Sequence, residues 1–205
     1  AGSSSPRLYR ASLVGAFAVA PDSKGIAHLA ELPVQPGFCG DSGRCIEELA
    51  RGRDVKHPTV SVVTPSLNQA SYLEETMESV LGQDYPALEY MVVDGGSTDG
   101  TTEILRRYSS RLTWYVSEPD RGQSDAINKG WSRASGEILA YLNADDFYHP
   151  GAVRKAAAAL AKDPSAGMVY GECVLLESAT GRESLFRTEL VNLESLLLSR
   201  CAVPQ

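Results

Sequence analysis

The chain is poor in the residues that mark several common chemistries. Of its 205 residues, four are cysteine and three are histidine. The cysteines, Cys39, Cys45, Cys173 and Cys201, contain no C-x-x-C pair, so the tight spacing of a zinc site is missing. They read as reduced thiols packing like small apolar residues, with a Cys39–Cys45 disulfide closing "CGDSGRC" as the lesser alternative. No histidine pairs with a cysteine, serine or carboxylate at a familiar nucleophile spacing. No apolar run approaches the ~20 residues of a membrane span. Basic residues are outnumbered, 19 Lys and Arg against 26 Asp and Glu, for a net charge of −7. That balance argues against a nucleic-acid backbone as partner, which needs clustered cations. It leaves room for a nucleotide whose phosphates are met by a metal and backbone amides. The glycine-rich "DGGSTDG" matches neither G-x-x-x-x-G-K-[ST] nor G-x-G-x-x-G, which excludes the P-loop and dinucleotide fingerprints. Near the start, "RLYRASLVGAFAVAP" has a faint likeness to a secretory leader. Gly15 and several alanines dilute it, and the expected location is cytoplasmic, with peripheral contact to the inner membrane face allowed.

What is present is an ordinary globular composition, 43% apolar and 22% charged, enough for a sizeable core. Residues 1–57 read as an N-terminal appendage or linker. "AGSSSP" is linker-like, "SLVGAFAVA" suits one strand, and "CIEELAR" suits a short helix. From Pro58 the pattern becomes regular, and residues 58–205 read as one domain. "TVSVVTP" is a β-branched strand. Ser71 with Glu74 three residues on forms a capping box for a helix from Tyr72 to Leu81, closed by Gly82. Further strands are expected over Leu88–Asp94, Leu112–Ser117 and Ile138–Leu142, with helices after each. Strand–helix alternation at these lengths predicts an α/β fold with a mostly parallel sheet. A β-hairpin follows, over "AGMVYGECVLLES", "ATGR" and "ESLFRT", and "LVNLESLLLSR" reads as a final helix.

The chemistry gathers where the strands end. In a parallel sheet each crossover returns the chain to the same edge, so all strand-end loops share one side. Ligands bind in the crevice beyond those ends. The first strand ends in Pro65, Ser66 and Asn68, the second in Asp94, and the third in "SEPDRGQSD", with Glu118, Asp120, Arg121 and Asp125. The fourth ends in Asn143-Ala144-Asp145-Asp146. Each has an ordinary reading: Asp94 as a turn residue, Asp125 as a first-turn helix carboxylate, and Arg121 as a solvated cation. The tetrad alone reads as a polar turn. Together these groups suit a nucleotide diphosphate held through a divalent cation on oxygen ligands.

"VSVVTPSLNQASYLEETMESVLGQDYPALEYMVVDGGSTDGTTEIL" followed by "SEPDRGQSDAINKGWSRASGEILAYLNADD" resembles the family 2 glycosyltransferases of the GT-A fold. The resemblance implies a GT-A-type, Rossmann-like, mostly parallel sheet with flanking helices and a hairpin after the D-x-D-like motif. It implies a nucleotide-diphosphate-sugar donor, Mg²⁺ or Mn²⁺, and inverting transfer to a hydroxyl of a saccharide or lipid-linked acceptor, with no nucleic acid. Pro65, Ser66 and Asn68 would border the nucleoside, and Asp94 would contact base or ribose. Arg121 and Asp125 would line the donor pocket. Asn143-Ala144-Asp145 stands where the family's D-x-D sits, with Asn replacing the first Asp. Asp145 is then the expected metal ligand and Asp146 a second ligand or sugar contact. The family's catalytic base lies downstream of that motif. Glu172 and Glu177 do not stand out as candidates, and the base is expected beyond Gln205, so donor binding with weak or no transfer is anticipated. A sugar nucleotidyltransferase would carry a Gly/Arg-rich loop with Lys where "TPSLNQ" stands. A binding or assembly module without the acceptor half is the non-enzymatic alternative.

Overall fold

The structure, a computed structural model, describes residues 9–13, 16–19, 57–163, 165–178 and 180–186. Its centre is strand β3 (Val60–Ser66), seven residues that are all buried. A strand buried on both faces needs cover on both, and the sequence supplies it through crossover helices. β3 pairs in parallel with β4 (Leu88–Asp94) on one side and with β6 (Ile138–Tyr141) on the other. β5 (Trp114–Ser117) extends the sheet beyond β4, also in parallel. The earlier strands β1 (Tyr9–Leu13) and β2 (Ala16–Val19) come from the first 20 residues. β2 runs antiparallel between β6 and β8 (Met168–Tyr170), giving the order β5-β4-β3-β6-β2-β8. A second sheet, β10-β9-β1-β7, contains β7 (Phe147–Tyr148), β9 (Cys173–Glu177) and β10 (Arg182–Phe186). β9 and β10 form the expected hairpin.

Side-chain alternation sorts the core into two layers. Val60 and Val62 of β3, Tyr90 and Val92 of β4, and Ile138 and Ala140 of β6 point to one face. There they meet α1 (Ala70–Leu81) through Leu73, Met77 and Val80, α2 (Thr101–Tyr108) through Ile104 and Leu105, and α4 (Ala152–Lys162) through Val153, Ala156 and Leu160. Val63, Met91 and Val93 point to the other face, against Ala126 of α3 (Gln123–Trp131). α3 lies so close to β3 that a Cβ on Gly130 would sit 2.5 Å from a Val63 methyl, which explains a glycine inside a helix. Pro65 fits inside a central strand for a related reason. Val63 accepts from Leu142 on the β6 side and Ser66 from Gly95 on the β4 side. Pro65 therefore faces the β6 side just past the last β6 partner, where a missing N–H breaks no ladder bond.

Several sequence expectations shift. α1 starts at Ala70, not Tyr72, with Gln69 as N-cap, and the Ser71–Glu74 capping box does not form. Asp99, from the loop after β4, takes the Ala70 N–H at 2.9 Å, while Glu74 pairs with Arg107 and Tyr108. A carboxylate supplied from a distant loop outcompetes the local cap. The third strand begins at Trp114 rather than Leu112. "SLVGAFAVA" contributes to two strands rather than one, placed in different sheets. "AGMVYGECVLLES" likewise splits at Gly171-Glu172 into β8 and β9. The helices expected over "CIEELAR" and "LVNLESLLLSR", and Cys39, Cys45 and Cys201, lie outside the described residues. No helix among the described residues is long and apolar enough to cross a membrane.

Candidate active site

The register of the sheet lines up the strand ends. Ser66 stands opposite Asp94, and Asp94 opposite Ser117. The loops that follow β3, β4, β5 and β6 therefore leave the same edge of the sheet. Between them lies a cleft of about 360 Å³. Pro65, Ser66, Leu67 and Gln69 form one wall, from the end of β3. Asp120, Gly122, Gln123 and Ala126 form a second, from the β5–α3 turn. Asn143, Ala144 and Asp145 form the third. Four of the residues singled out from the sequence, Pro65, Ser66, Asn143 and Asp145, thus meet on one cavity.

Ser66 offers an unpaired polar group on the cleft wall. Its side chain is 5% exposed, and its hydroxyl has no hydrogen-bond partner among the described residues. Buried hydroxyls are normally paired, so an orphan on a cleft wall is one a ligand can satisfy. Beside it Leu67 is 56% exposed, an apolar surface at the cleft.

Asp94 behaves differently. It is 0% exposed and does not line the cleft. Its Oδ2 accepts from Ser117 Oγ at 2.6 Å, from the Ser97 N–H at 3.0 Å and from the Gly96 N–H at 3.3 Å, and its Oδ1 accepts from Ser97 Oγ. A buried carboxylate needs such a set of donors, and here they fold the 95–97 turn around it. Asn68 locks the neighbouring loop to that turn. Its N–H donates to Ser97 Oγ at 2.7 Å and its Oδ1 accepts from the Thr98 N–H at 3.0 Å. Its φ of 53° is left-handed, a conformation Asn tolerates better than most residues.

Arg121 and Asp125 pair with each other at the start of α3. The Arg121 N–H and Nη2 donate to the two carboxylate oxygens at 3.1 and 2.9 Å. That bonding holds the Asp125 carboxyl below its ordinary range. The Arg121 side chain is 89% exposed, and neither residue lines the cleft. Asp125 lies in the first turn of α3, where the helix dipole favours a carboxylate.

In the tetrad, Asn143 bridges two walls. Its Oδ1 accepts from Gln123 Nε2 at 2.6 Å, and its Nδ2 donates to Asp146 Oδ2 at 3.0 Å. Asp146 is buried and does not line the cleft, whereas Asp145 does. The two adjacent carboxylates are therefore separated by the turn, one towards the cleft and one into the body of the protein. Among the described residues no group of three or more His, Cys, Asp or Glu forms a ready metal cage. The oxygen-only donor set of Asp145, Asp120 and Asn143 around one cleft still suits a hard divalent cation that takes its remaining ligands from phosphate and water.

Sequence reasoning under-used two of these residues. Asp120 lines the cleft, with its Oδ1 accepting from the Gly122 N–H at 2.8 Å. A Cβ on Gly95 would lie 2.9 Å from Asp120 Oδ2, so glycine there lets the two loops meet. The signal was the same as for Asp145, a carboxylate just past a strand. Gln123 was hidden as the first residue of a helix. Among the described residues no lysine or arginine lines the cleft.

Residues 61–187 match the family model described as glycosyl transferase family 2. A putative teichuronic acid biosynthesis glycosyltransferase of Bacillus subtilis, TuaG, is 44% identical over 92 residues, covering 43% of this chain and 36% of that protein. An uncharacterized glycosyltransferase of Mycobacterium tuberculosis is 39% identical over 116 residues, covering 56% of this chain and 44% of that protein. Among solved structures, the mannosyltransferase PcManGT from Pyrobaculum calidifontis in complex with GDP-Man and Mn²⁺ is 33% identical with a TM-score of 0.49, covering 58% of this chain and 38% of that one. Staphylococcus aureus TarS 1-349 in complex with UDP-GlcNAc is 28% identical with a TM-score of 0.47, covering 51% and 31%. The chain spans less than half the length of the relatives it matches.

Proposed function

The chain belongs to glycosyltransferase family 2, and from that premise we propose that it takes a sugar from a nucleotide-diphosphate sugar and transfers it to an acceptor hydroxyl, with inversion and with a divalent cation, Mg²⁺ or Mn²⁺. The observation that carries this reading is the charge of the cleft. Among the described residues, two carboxylates, Asp120 and Asp145, line it, and no side-chain cation does. A diphosphate entering such a cleft is repelled unless a divalent ion comes with it. Asp145 and Asp120 would hold that ion, with Asn143 beside them. When bound, it supplies positive charge against the departing diphosphate.

The remaining work falls to the chain's own residues. Leu67 offers apolar surface to a nucleobase, and the unpaired Ser66 hydroxyl supplies a hydrogen bond to the nucleoside. Asn143 ties the β6 wall to Gln123 and keeps the cleft at fixed width. Asp94 and Asn68 act behind the surface, holding the loops that form the nucleoside wall. Asp146 orients Asn143. Arg121 and Asp125 stay paired with each other outside the cleft and hold the start of α3, which carries Gln123 to the cleft wall. The relative named for teichuronic acid biosynthesis supports a saccharide as acceptor.

Incubation with isotope-labelled UDP-, GDP- and dTDP-sugars, read by mass spectrometry, tests the proposal. Release of nucleoside diphosphate from one donor, with the sugar passed to an acceptor or to water and only with Mg²⁺ or Mn²⁺ present, is the expected outcome. Binding of none of these donors would refute it.

A further inference from the structure

We propose that a polar stripe on α1, made by Thr76, Ser79 and Gln83, positions the backbone of residues 144–153 and through it the cleft carboxylate of Asp145. Its functional consequence rests on the reading of the cleft as a donor site. The three residues are spaced three and four apart, which puts them on one side of the helix and its end. That side packs towards the protein interior, where Leu73, Met77 and Val80 supply ordinary apolar contacts. Polar groups there are costly unless each finds a partner.

Besides carbonyls of their own helix, all three bond the same segment. Thr76 is 0% exposed, and its Oγ1 lies 2.8 Å from the Ala144 carbonyl and 2.7 Å from the Asp146 carbonyl. The Thr76 hydroxyl thus faces the two carbonyls that flank Asp145, with the Tyr72 carbonyl of its own helix farther off at 3.4 Å. Ser79 Oγ accepts from the Tyr148 N–H at 3.1 Å and donates to the Thr76 carbonyl at 2.7 Å. Gln83 Nε2 donates to the His149 carbonyl at 3.0 Å, and its Oε1 accepts from the Val153 N–H at 3.3 Å. The stripe therefore reads the path of the segment, from the tetrad to the start of α4, through backbone atoms alone. On its other side the segment pairs with β1, Ser12 opposite Phe147 and Leu13 opposite Tyr148. None of the three stripe residues lines the cleft, so they are positioning residues and touch no reacting atom.

Hydrogen exchange read by mass spectrometry on the ligand-free chain, compared among wild type, Thr76→Val and Thr76→Ser, tests this. Thr76→Val removes the hydroxyl at nearly constant volume. It is expected to raise exchange in peptides covering 144–153 by about 10-fold while β3 and β4 stay protected, and Thr76→Ser is expected to restore protection. In parallel, affinity for UDP or GDP in Mn²⁺ is expected to fall about 10-fold in Thr76→Val and to recover in Thr76→Ser, the usual effect of losing an outer partner of a ligating residue. If Thr76→Val does not fold, Ser79→Ala, which strips the Tyr148 amide of its acceptor, carries both measurements. Unchanged exchange over 144–153 overturns the proposal. So does faster exchange with unchanged affinity, because the segment would then be held without positioning Asp145. A wild-type chain that binds neither nucleotide refutes the donor reading by itself, and the exchange comparison still decides whether the stripe holds the segment.

Discussion

The carboxyl edge of the sheet has two halves that look alike in sequence and differ in structure. After β3 and β4 the carboxylates and Asn68 are satisfied from within. Asp94 is surrounded by Ser97, Ser117 and Gly96, Asn68 is tied to Ser97 and Thr98, and Asp99 caps α1. The loops after β5 and β6 turn Asp120 and Asp145 to a shared cleft. A strand-end aspartate is thus either a knot that ties two loops or a group offered to a ligand, and the donors around it decide which. The saturated half gives the other half a fixed wall to work against.

The contrast can be broken at several points. Asp94→Ala should have the largest effect on stability. It leaves several donors facing a buried gap and should lower the unfolding free energy by about 3 kcal/mol, measured by urea denaturation. Asp120→Asn should do the reverse, leaving stability within about 0.5 kcal/mol of wild type while weakening donor affinity in Mn²⁺ about 10-fold by calorimetry. Equal stability losses in the two variants would erase the distinction between the halves.

The opposite edge of the sheet provides a smaller test with a pH signature. There the Glu89 carboxylate accepts from Ser61 Oγ at 2.6 Å, from the Ser135 N–H at 3.0 Å and from Ser135 Oγ. Burial pushes its pKa up, but the bonds from Ser135 and Ser61 outweigh burial and hold it below 4.5. A depressed carboxyl stabilises the fold above its unfolded pKa and loses that advantage as pH falls through the lower folded value. Glu89→Gln should therefore cost about 1 kcal/mol at pH 7, and the gap to wild type should shrink as the pH is taken below 4.5. A gap that is constant with pH would contradict the ionised role. The smallest effect belongs to Arg111→Ala. It breaks a pair with Glu78 at 2.6 Å in which both side chains are nearly half exposed, and thermal melting should show little or no loss.

Much of the sheet was legible because its signals are local. β-branched runs, helix-length spacers and polar strand ends put Pro65, Ser66, Asn143 and Asp145 on one edge before any coordinates, and they meet on one cleft. What stayed hidden was set by distant partners. The start of α1 depends on Asp99, which lies beyond the next strand, so a local capping box was the wrong guide. Within "SEPDRGQSD" the pattern cannot say which carboxylate faces the cleft. That follows from α3 starting at Gln123, which puts Asp125 in its first turn against Arg121 and leaves Asp120 to the cleft. Two adjacent aspartates gave no hint that the turn would send Asp146 inward. The Thr76–Ser79–Gln83 stripe was lost inside a helix read only for its ends.

The most direct measurement is a calorimetric titration of UDP- and GDP-sugars into wild type and Asp145→Ala, with and without Mn²⁺. Binding by wild type that requires Mn²⁺, and that is lost in an Asp145→Ala chain melting at the wild-type temperature, is the predicted result. Binding that ignores Mn²⁺ and survives in Asp145→Ala would contradict the assignment of the cleft.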